Sequence, residues 1–266
     1  MQEERRREEG QEIMNTKILK ENNEKIVINL TNTNFETANS IRRSCINNVP
    51  TMAIEDVHIL ANNSALYDEI LAHRLGMIPL TTDLKTYNKL EDCKCKSAGC
   101  ARCTAEFVLE AKGPATVYSK DLVPTDPSIK PVFDEMPVVK LFENQEVRLT
   151  AKACLNNGTY HTKHSPCNAY YQFYPNIKVL KSKKALDDIC PRKVFKNGAV
   201  DKDNLLNCNL CNACTDAFPD SVTVEPEENN ILLTIESWGQ LAPKTIYNTA
   251  ITNLISDLDE FKKLLK

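Results

Sequence analysis

The sequence predicts an α+β protein: a discontinuous two-layer unit, residues 13–50 plus 228–266, interrupted by a mainly-β insertion (51–165) and a small cysteine-bearing domain (166–227). Three observations lead there. Apolar residues recur at helical spacing near both ends of the chain. The middle holds short alternating segments punctuated by Gly, Pro and Asp, as strands and turns require. Seven of the eleven cysteines fall in two tight runs, 93–103 and 208–214.

Composition narrows the function classes. With 266 residues, 42% hydrophobic and 26% charged, the chain can bury a real core. A net charge of −3 provides no basic excess for a broad nucleic-acid footprint, so direct sequence-specific DNA binding is not expected. No apolar run approaches the ~20 residues of a membrane span. Residues 1–12 are charged and lack a signal peptide's apolar core; they read as a flexible tail, or Met1 is not the true start. The expected location is therefore cytoplasmic, where clustered cysteines favour metal ligation over disulfides.

In chain order, Ile13–Lys20 and Lys25–Leu30 read as a hairpin around Glu21–Glu24. Thr33 and Glu36 have the spacing of a capping box, opening a helix with Phe35, Ala38, Ile41, Cys45 and Val49 on one stripe and Pro50 ending it. Arg42 and Arg43 lie off that stripe. Ile54–Leu60 reads as a strand and Leu66–Leu75 as a short helix, with Gly76 as the residue after its end. Phe107–Ala111, Thr116–Ser119, Val138–Leu141 and Glu146–Ala153 are strand candidates, and Val123–Pro137 reads as a long surface loop. Ile231–Ser237 is a further strand. From Pro243, Tyr247, Ile251, Leu254, Leu258, Phe261 and Leu265 step by four and three, the seam of a helix that packs lengthwise on other helices.

Cys208, Cys211 and Cys214 stand at C-x2-C-x2-C spacing before Pro219, a run that resembles the bacterial ferredoxin signature, except that Phe218 replaces the fourth cysteine. In two-cluster ferredoxins that fourth cysteine ligates the other cluster. Cys190-Pro191 is an orphan of this kind: Leu186, Lys183 and Leu180 occupy the places of its three companions. The expectation is one [4Fe–4S] cluster on Cys190, Cys208, Cys211 and Cys214, or a [3Fe–4S] cluster if Cys190 is not a ligand. Buried or zinc-binding cysteines are the alternative. Cys93, Cys95, Cys100 and Cys103 offer four thiols within one short loop, which suits tetrahedral zinc; a further cluster or free thiols are the alternatives. His161, His164 and Cys167 follow at short intervals without an evident fourth ligand and read as a polar loop, while Cys45 and Cys154 read as small core residues.

Three stretches carry a family resemblance. Residues 39–57, NSIRRSCINNVPTMAIEDV, resemble the first helix and strand of the RNA polymerase α-like assembly subunits. Residues 68–80, DEILAHRLGMIPL, are similar to their D-E-x-L-A-H-R segment, and IESWG at 235–239 to their last strand before the long helix. His161 and Lys163 match their H-A-K-W pattern, with His164 in place of Trp. The ferredoxin-like insertion points to the archaeal branch of that family, and the 93–103 loop looks like the zinc loop of the eukaryotic third-largest subunit.

The resemblance implies a discontinuous α-like dimerisation domain and a chain that is not an enzyme by itself but part of a nucleotidyltransferase whose active site lies on other subunits. It implies pairing with a small α-like subunit (subunit L) through the first and last helices, by way of Phe35, Ile41, Tyr247, Ile251, Leu254, Leu258 and Phe261. It further implies that Arg42, Arg43, His73, Arg74 and Gly76 face or brace the second-largest subunit, with other small assembly subunits nearby. The competing reading is a ferredoxin-type electron carrier, which rests on the cysteine run alone. No phosphate-binding loop, nucleophile elbow or paired-carboxylate motif supports an independent enzyme.

Overall fold

The computed structural model describes residues 14–265, so the charged segment 1–12 and Ile13 lie outside the described residues. The protein is mixed α/β and mostly sheet, in two compact units. One unit takes the described residues up to Glu21, then 27–42 and 170–234; the other takes 22–26, 43–169 and the described residues from 235 on.

The first unit is built on a four-stranded sheet of order β1-β2-β12-β9, from β1 (Asn15–Glu21), β2 (Lys25–Thr31), β9 (Cys167–Val179) and β12 (Val222–Ser237). The expected hairpin forms the β1–β2 edge; Asn22 Oδ1 accepts from the amides of Glu24 and Lys25 and closes the turn. Helix α1 (Phe35–Asn47) follows. Its cap is Asn34, whose side chain accepts from the Thr37 amide at 2.9 Å, so the expected Thr33–Glu36 box gives way to a start one residue later. Asn is at least as good an N-cap as Thr, so local chemistry allowed either. Two short helices, α3 (Ala185–Ile189) and α4 (Ala213–Ala217), and the two-stranded β10 (Phe195–Lys196) and β11 (Ala199–Val200) complete this unit.

The second unit holds a sheet of order β3-β8-β4-β6 and a separate pair, β5 with β7. Its long strands β3 (Thr51–Asn62), β4 (Thr104–Lys112) and β8 (Glu146–Asn156) are antiparallel, and β4 alternates buried Ala105, Phe107 and Leu109 with exposed neighbours, as a half-buried sheet must. Helix α2 (Asp68–Gly76) lays Leu71 and Leu75 on the same core. Gly76 is its last helical residue, not the residue beyond it, and Met77 caps in the right-handed region. The stretch expected as a free loop, Val123–Pro137, is anchored: β6 (Val123–Pro124) pairs with β4, and Ile129 is fully buried. β5 is Ala115–Tyr118 and β7 is Pro137–Leu141.

Helix α5 (Pro243–Leu264) opens on Pro at its first turn. It is held to the end of α1 by Ser44 Oγ donating to the Ala250 carbonyl at 2.8 Å and by Asn253 donating to the Asn48 carbonyl at 2.8 Å. Ile246 and Ala250 are buried there. Beyond Leu254 the helix emerges from its own unit, leaving Ile255, Leu258, Phe261 and Leu264 more than half exposed.

Candidate metal centres

The loop between α2 and β4 brings Cys93, Cys95, Cys100 and Cys103 together, with all four sulfurs within 4.8 Å of one another. Tight turns do this locally: the Lys96 amide donates to the Cys93 carbonyl, the Cys103 amide to the Cys100 carbonyl, and Lys96, Ser97 and Gly99 adopt left-handed backbone. The Sγ separations are 3.6 Å for Cys93–Cys100, 3.5 Å for Cys95–Cys103 and 3.7 Å for Cys100–Cys103. Zinc–thiolate bonds of about 2.3 Å set tetrahedron edges of about 3.8 Å, so this donor set fits a four-coordinate ion. Burial pushes the Cys103 thiol up to about 12, whereas hydrogen bonding with Cys93 pulls Cys95 down to about 6.

The other cysteine site is more open. Cys190, Cys208, Cys211 and Cys214 line one small open pocket, together with apolar Ile177, Val194, Phe195 and Val224. Cys190 precedes Pro191 at the end of α3, and Cys214 lies in α4. Leu210 and Asn212 take left-handed backbone between the cysteines, curling the chain around the pocket. The Val194 amide donates to Cys190 Sγ at 3.5 Å, an N–H···S bond of the kind that tunes sulfur clusters. Burial pushes the Cys208 and Cys214 thiols up, and the nearby Cys190 adds to it. These four do not form one tight group, as the loop cysteines do; they line a single pocket, as ligands of one shared cluster would. Where a second cluster would need its ligands, Leu186 is wholly buried, and Phe218 packs against the same apolar core with the Lys183 ammonium over its ring at 4.8 Å.

Other expected residues scatter. Phe35 is exposed, Arg43 is exposed, and Arg42 donates to Asn39 Oδ1 at 3.0 Å. Ile41 is a correction: at 2% exposure it belongs to the chain's own core and offers nothing to a partner. Its place on the stripe reflects intramolecular packing. Tyr247, Ile251 and Leu254 are half-buried, whereas Leu258 and Phe261 are exposed. His73 and Arg74 are exposed at the end of α2, and Arg74 donates to the Pro137 carbonyl at 2.9 Å.

Sequence reasoning missed one cluster. His164, read as part of a polar loop, is completely buried and stands with Glu55 and Cys154, their ligand atoms within 4.8 Å. Cys167 goes elsewhere, its thiol donating to the Cys45 carbonyl at 3.5 Å, and His161 is exposed and accepts from the Lys163 amide. Lys163 reaches Glu55 Oε2 at 2.6 Å and the Ile54 carbonyl at 3.0 Å. Burial raises the Glu55 carboxyl, but Lys163, with Tyr160, wins and holds it below the usual carboxylate range. The only signal available was the wrong residue after Lys163, a histidine where an indole was expected.

Segments far apart in the chain also meet here. Gly76 faces the Ile54 carbonyl and the Lys163 side chain. The Thr82 amide donates to the Gln240 carbonyl at 3.1 Å, and the Trp238 amide to Pro166. Gly239, in left-handed backbone against Val132, leaves no room for a side chain.

Comparison with known proteins follows this layout. Residues 57–169 match the RNA polymerase Rpb3/RpoA insert domain, and with relatives that cover most of the chain this defines the class: an RNA polymerase subunit of the Rpb3/RpoA kind. The DNA-directed RNA polymerase subunit Rpo3 of Methanosphaera stadtmanae is 35% identical over 92% of this chain and 96% of its own length. That of Archaeoglobus fulgidus is 35% identical over 94% and 97%, and that of Pyrobaculum neutrophilum 39% identical over 76% of each. The chain belongs to the Rpo3 family of DNA-directed RNA polymerase subunits. The electron-carrier alternative falls with that membership, because the similarity runs through the whole chain and not the cysteine run alone.

Proposed function

We propose that this chain is a non-catalytic assembly subunit of a DNA-directed RNA polymerase, working in a complex with other subunits whose large members carry the active site. The observation that carries the reading is the similarity to Rpo3 proteins over 92% of the chain, joined to an apolar helix end that the described residues leave exposed. On this reading the dimerisation domain is 13–50 plus 228–266. It pairs with a small α-like subunit through Phe35, Tyr247, Ile251, Leu254, Leu258 and Phe261. Arg42, Arg43, His73 and Arg74 are exposed or half-exposed cations and donors suited to a large-subunit surface, in first place the second-largest. Among the described residues no helix is long and apolar enough to cross a membrane.

Zinc on Cys93, Cys95, Cys100 and Cys103 would close a loop that has little core of its own. An iron–sulfur cluster on Cys190, Cys208, Cys211 and Cys214 would cross-link the segments of the 166–227 domain in the same way. Each group, when bound, supplies ligand bonds in place of apolar burial. The chain's own residues do the rest: Val194 donates to Cys190, Gln172 donates to the Cys208 carbonyl at 3.0 Å, and Leu210 and Asn212, in left-handed backbone, turn the chain between the cysteines. A structural role is favoured because Leu180, Lys183, Leu186 and Phe218 stand where a second cluster would need cysteines, so the two-cluster relay of a ferredoxin has no ligands here.

A tagged copy expressed in its native cells tests the function. Co-purification of the two large polymerase subunits and a small α-like subunit supports it; recovery of redox enzymes instead would refute it.

A further inference from the structure

We propose that Glu55, Cys154 and His164 form a third metal site, for a divalent ion of zinc character, distinct from the four-cysteine loop and from the cluster site. The three come from elements far apart in sequence: Glu55 from β3, Cys154 from β8, and His164 from the short 3-10 helix Thr162–His164. Their ligand atoms lie within 4.8 Å of one another, and His164 is 0% exposed.

The imidazole is already prepared. His164 Nδ1 lies 2.8 Å from the Thr51 carbonyl, which can only accept, so Nδ1 carries the proton and Nε2 presents its lone pair. A backbone carbonyl holding the distal N–H is the usual support of a metal-ligating histidine. Thr51 fixes the loop a second time by donating its hydroxyl to the His164 carbonyl at 2.7 Å. Nε2 is then left buried without a hydrogen-bond partner among the described residues, 3.7 Å from Glu55 Oε2. A buried acceptor with no donor is costly, and few native side chains tolerate it without a reason.

The alternative is a plain polar cluster in which Lys163 neutralises Glu55. That accounts for the carboxylate and leaves Nε2 unexplained. A metal ion accounts for both. One imidazole, one thiolate and one carboxylate form a donor set that zinc accepts. Binding releases the Cys154 thiol proton to solvent, and the two anionic ligands then balance the dication. The Lys163 ammonium keeps its bond to the Ile54 carbonyl and remains beside the carboxylate as an outer partner. Three protein ligands leave a fourth position, and a cavity of about 160 Å³ opens beside Glu55 and Cys154, lined also by Ser97, Ala98 and Gly99 of the cysteine loop. Water or a small anion entering there completes the tetrahedron.

The test uses the full chain loaded with cadmium-113 and observed by NMR, with metal content measured in parallel after zinc loading. The proposal expects a single-sulfur cadmium resonance well separated from all four-sulfur signals. It is lost in His164→Gln and in Cys154→Ala, with one ion fewer per chain in each. The Cys95→Ser/Cys103→Ser variant keeps it. The wild-type spectrum alone is decisive even if a variant folds poorly: four-sulfur resonances without a single-sulfur one overturn the proposal, as does a single-sulfur signal that survives in folded His164→Gln.

Discussion

The hydroxyl of Tyr87 donates to Asp126 Oδ2 at 2.6 Å, and this bond ties the start of the cysteine loop to the connection between β6 and β7. Tyr87 is 4% exposed, so its hydroxyl has no good substitute partner. Asp126 also accepts from the amide and hydroxyl of Ser128, at 2.9 and 2.8 Å. Tyr87→Phe removes one bond to a charged group and is expected to cost about 1 kcal/mol, a fall in Tm of about 3 °C.

The same pair sets a pH dependence. Hydrogen bonds from Tyr87 first, then Ser128, hold Asp126 below its ordinary 3.8, so its contribution is present above that value and fades as pH falls through the folded pKa. Burial, reinforced by Asp126, holds Tyr87 above its ordinary 10.0, so its contribution is present below that value and fades as pH rises through the folded pKa. Chemical denaturation across both windows is expected to give flatter profiles for Tyr87→Phe than for the wild type.

Ligand replacement separates the two cysteine sites. Cys190→Ser is expected to leave iron bound but lower it from about four to about three atoms per chain, with an oxidised three-iron EPR signal. Replacing Cys208, Cys211 and Cys214 together removes the colour and the iron, and lowers Tm if the cluster is structural. Unchanged Tm and unchanged subunit association in that variant would count against a structural cluster.

Zinc removal is a milder perturbation. A strong chelator applied to the folded chain is expected to lower Tm by about 10 °C, the equivalent of about 3 kcal/mol at this size, and added zinc restores it. Cys103→Ser should reproduce the part of that loss due to the cysteine loop, since its sulfur is close to both Cys95 and Cys100. Calorimetry with and without zinc reads this directly.

Charge reversal probes the large-subunit surface. Arg74→Glu and Arg42→Glu alter exposed or half-exposed side chains and, with the loss of their bonds to Pro137 and Asn39, are expected to cost the chain itself about 1 kcal/mol each, too little to unfold it. Their effect should appear as reduced co-purification of the second-largest subunit. Wild-type yield would place that contact elsewhere.

How far the sequence reached depended on how local the signal was. Helix α1 and helix α5 were legible because their stripes repeat over several turns, and both cysteine sites were legible because their ligands sit at fixed short spacings. Asn34 could not be separated from Thr33 as a cap, since adjacent residues both have capping side chains. Ile41 and Phe35 share one stripe, yet one is buried within the chain and the other is exposed; periodicity identifies an apolar face without saying what covers it. The least legible feature was the meeting of Glu55 with His164. Their partnership depends on the β3–β8 pairing, which brings Cys154 level with Ala53, and on the Thr51–His164 bonds, neither of which a linear pattern encodes.

On the proposed function, the exposed end of α5 pairs with a small α-like subunit. Co-expression of the two chains, with the mass of the complex measured in solution, tests it most directly. The wild type is expected to elute as a one-to-one heterodimer, and Leu258→Asp/Phe261→Asp to leave a folded monomer of nearly wild-type Tm. A wild-type chain that stays monomeric beside its partner, or a double variant that still forms the heterodimer, would contradict the account.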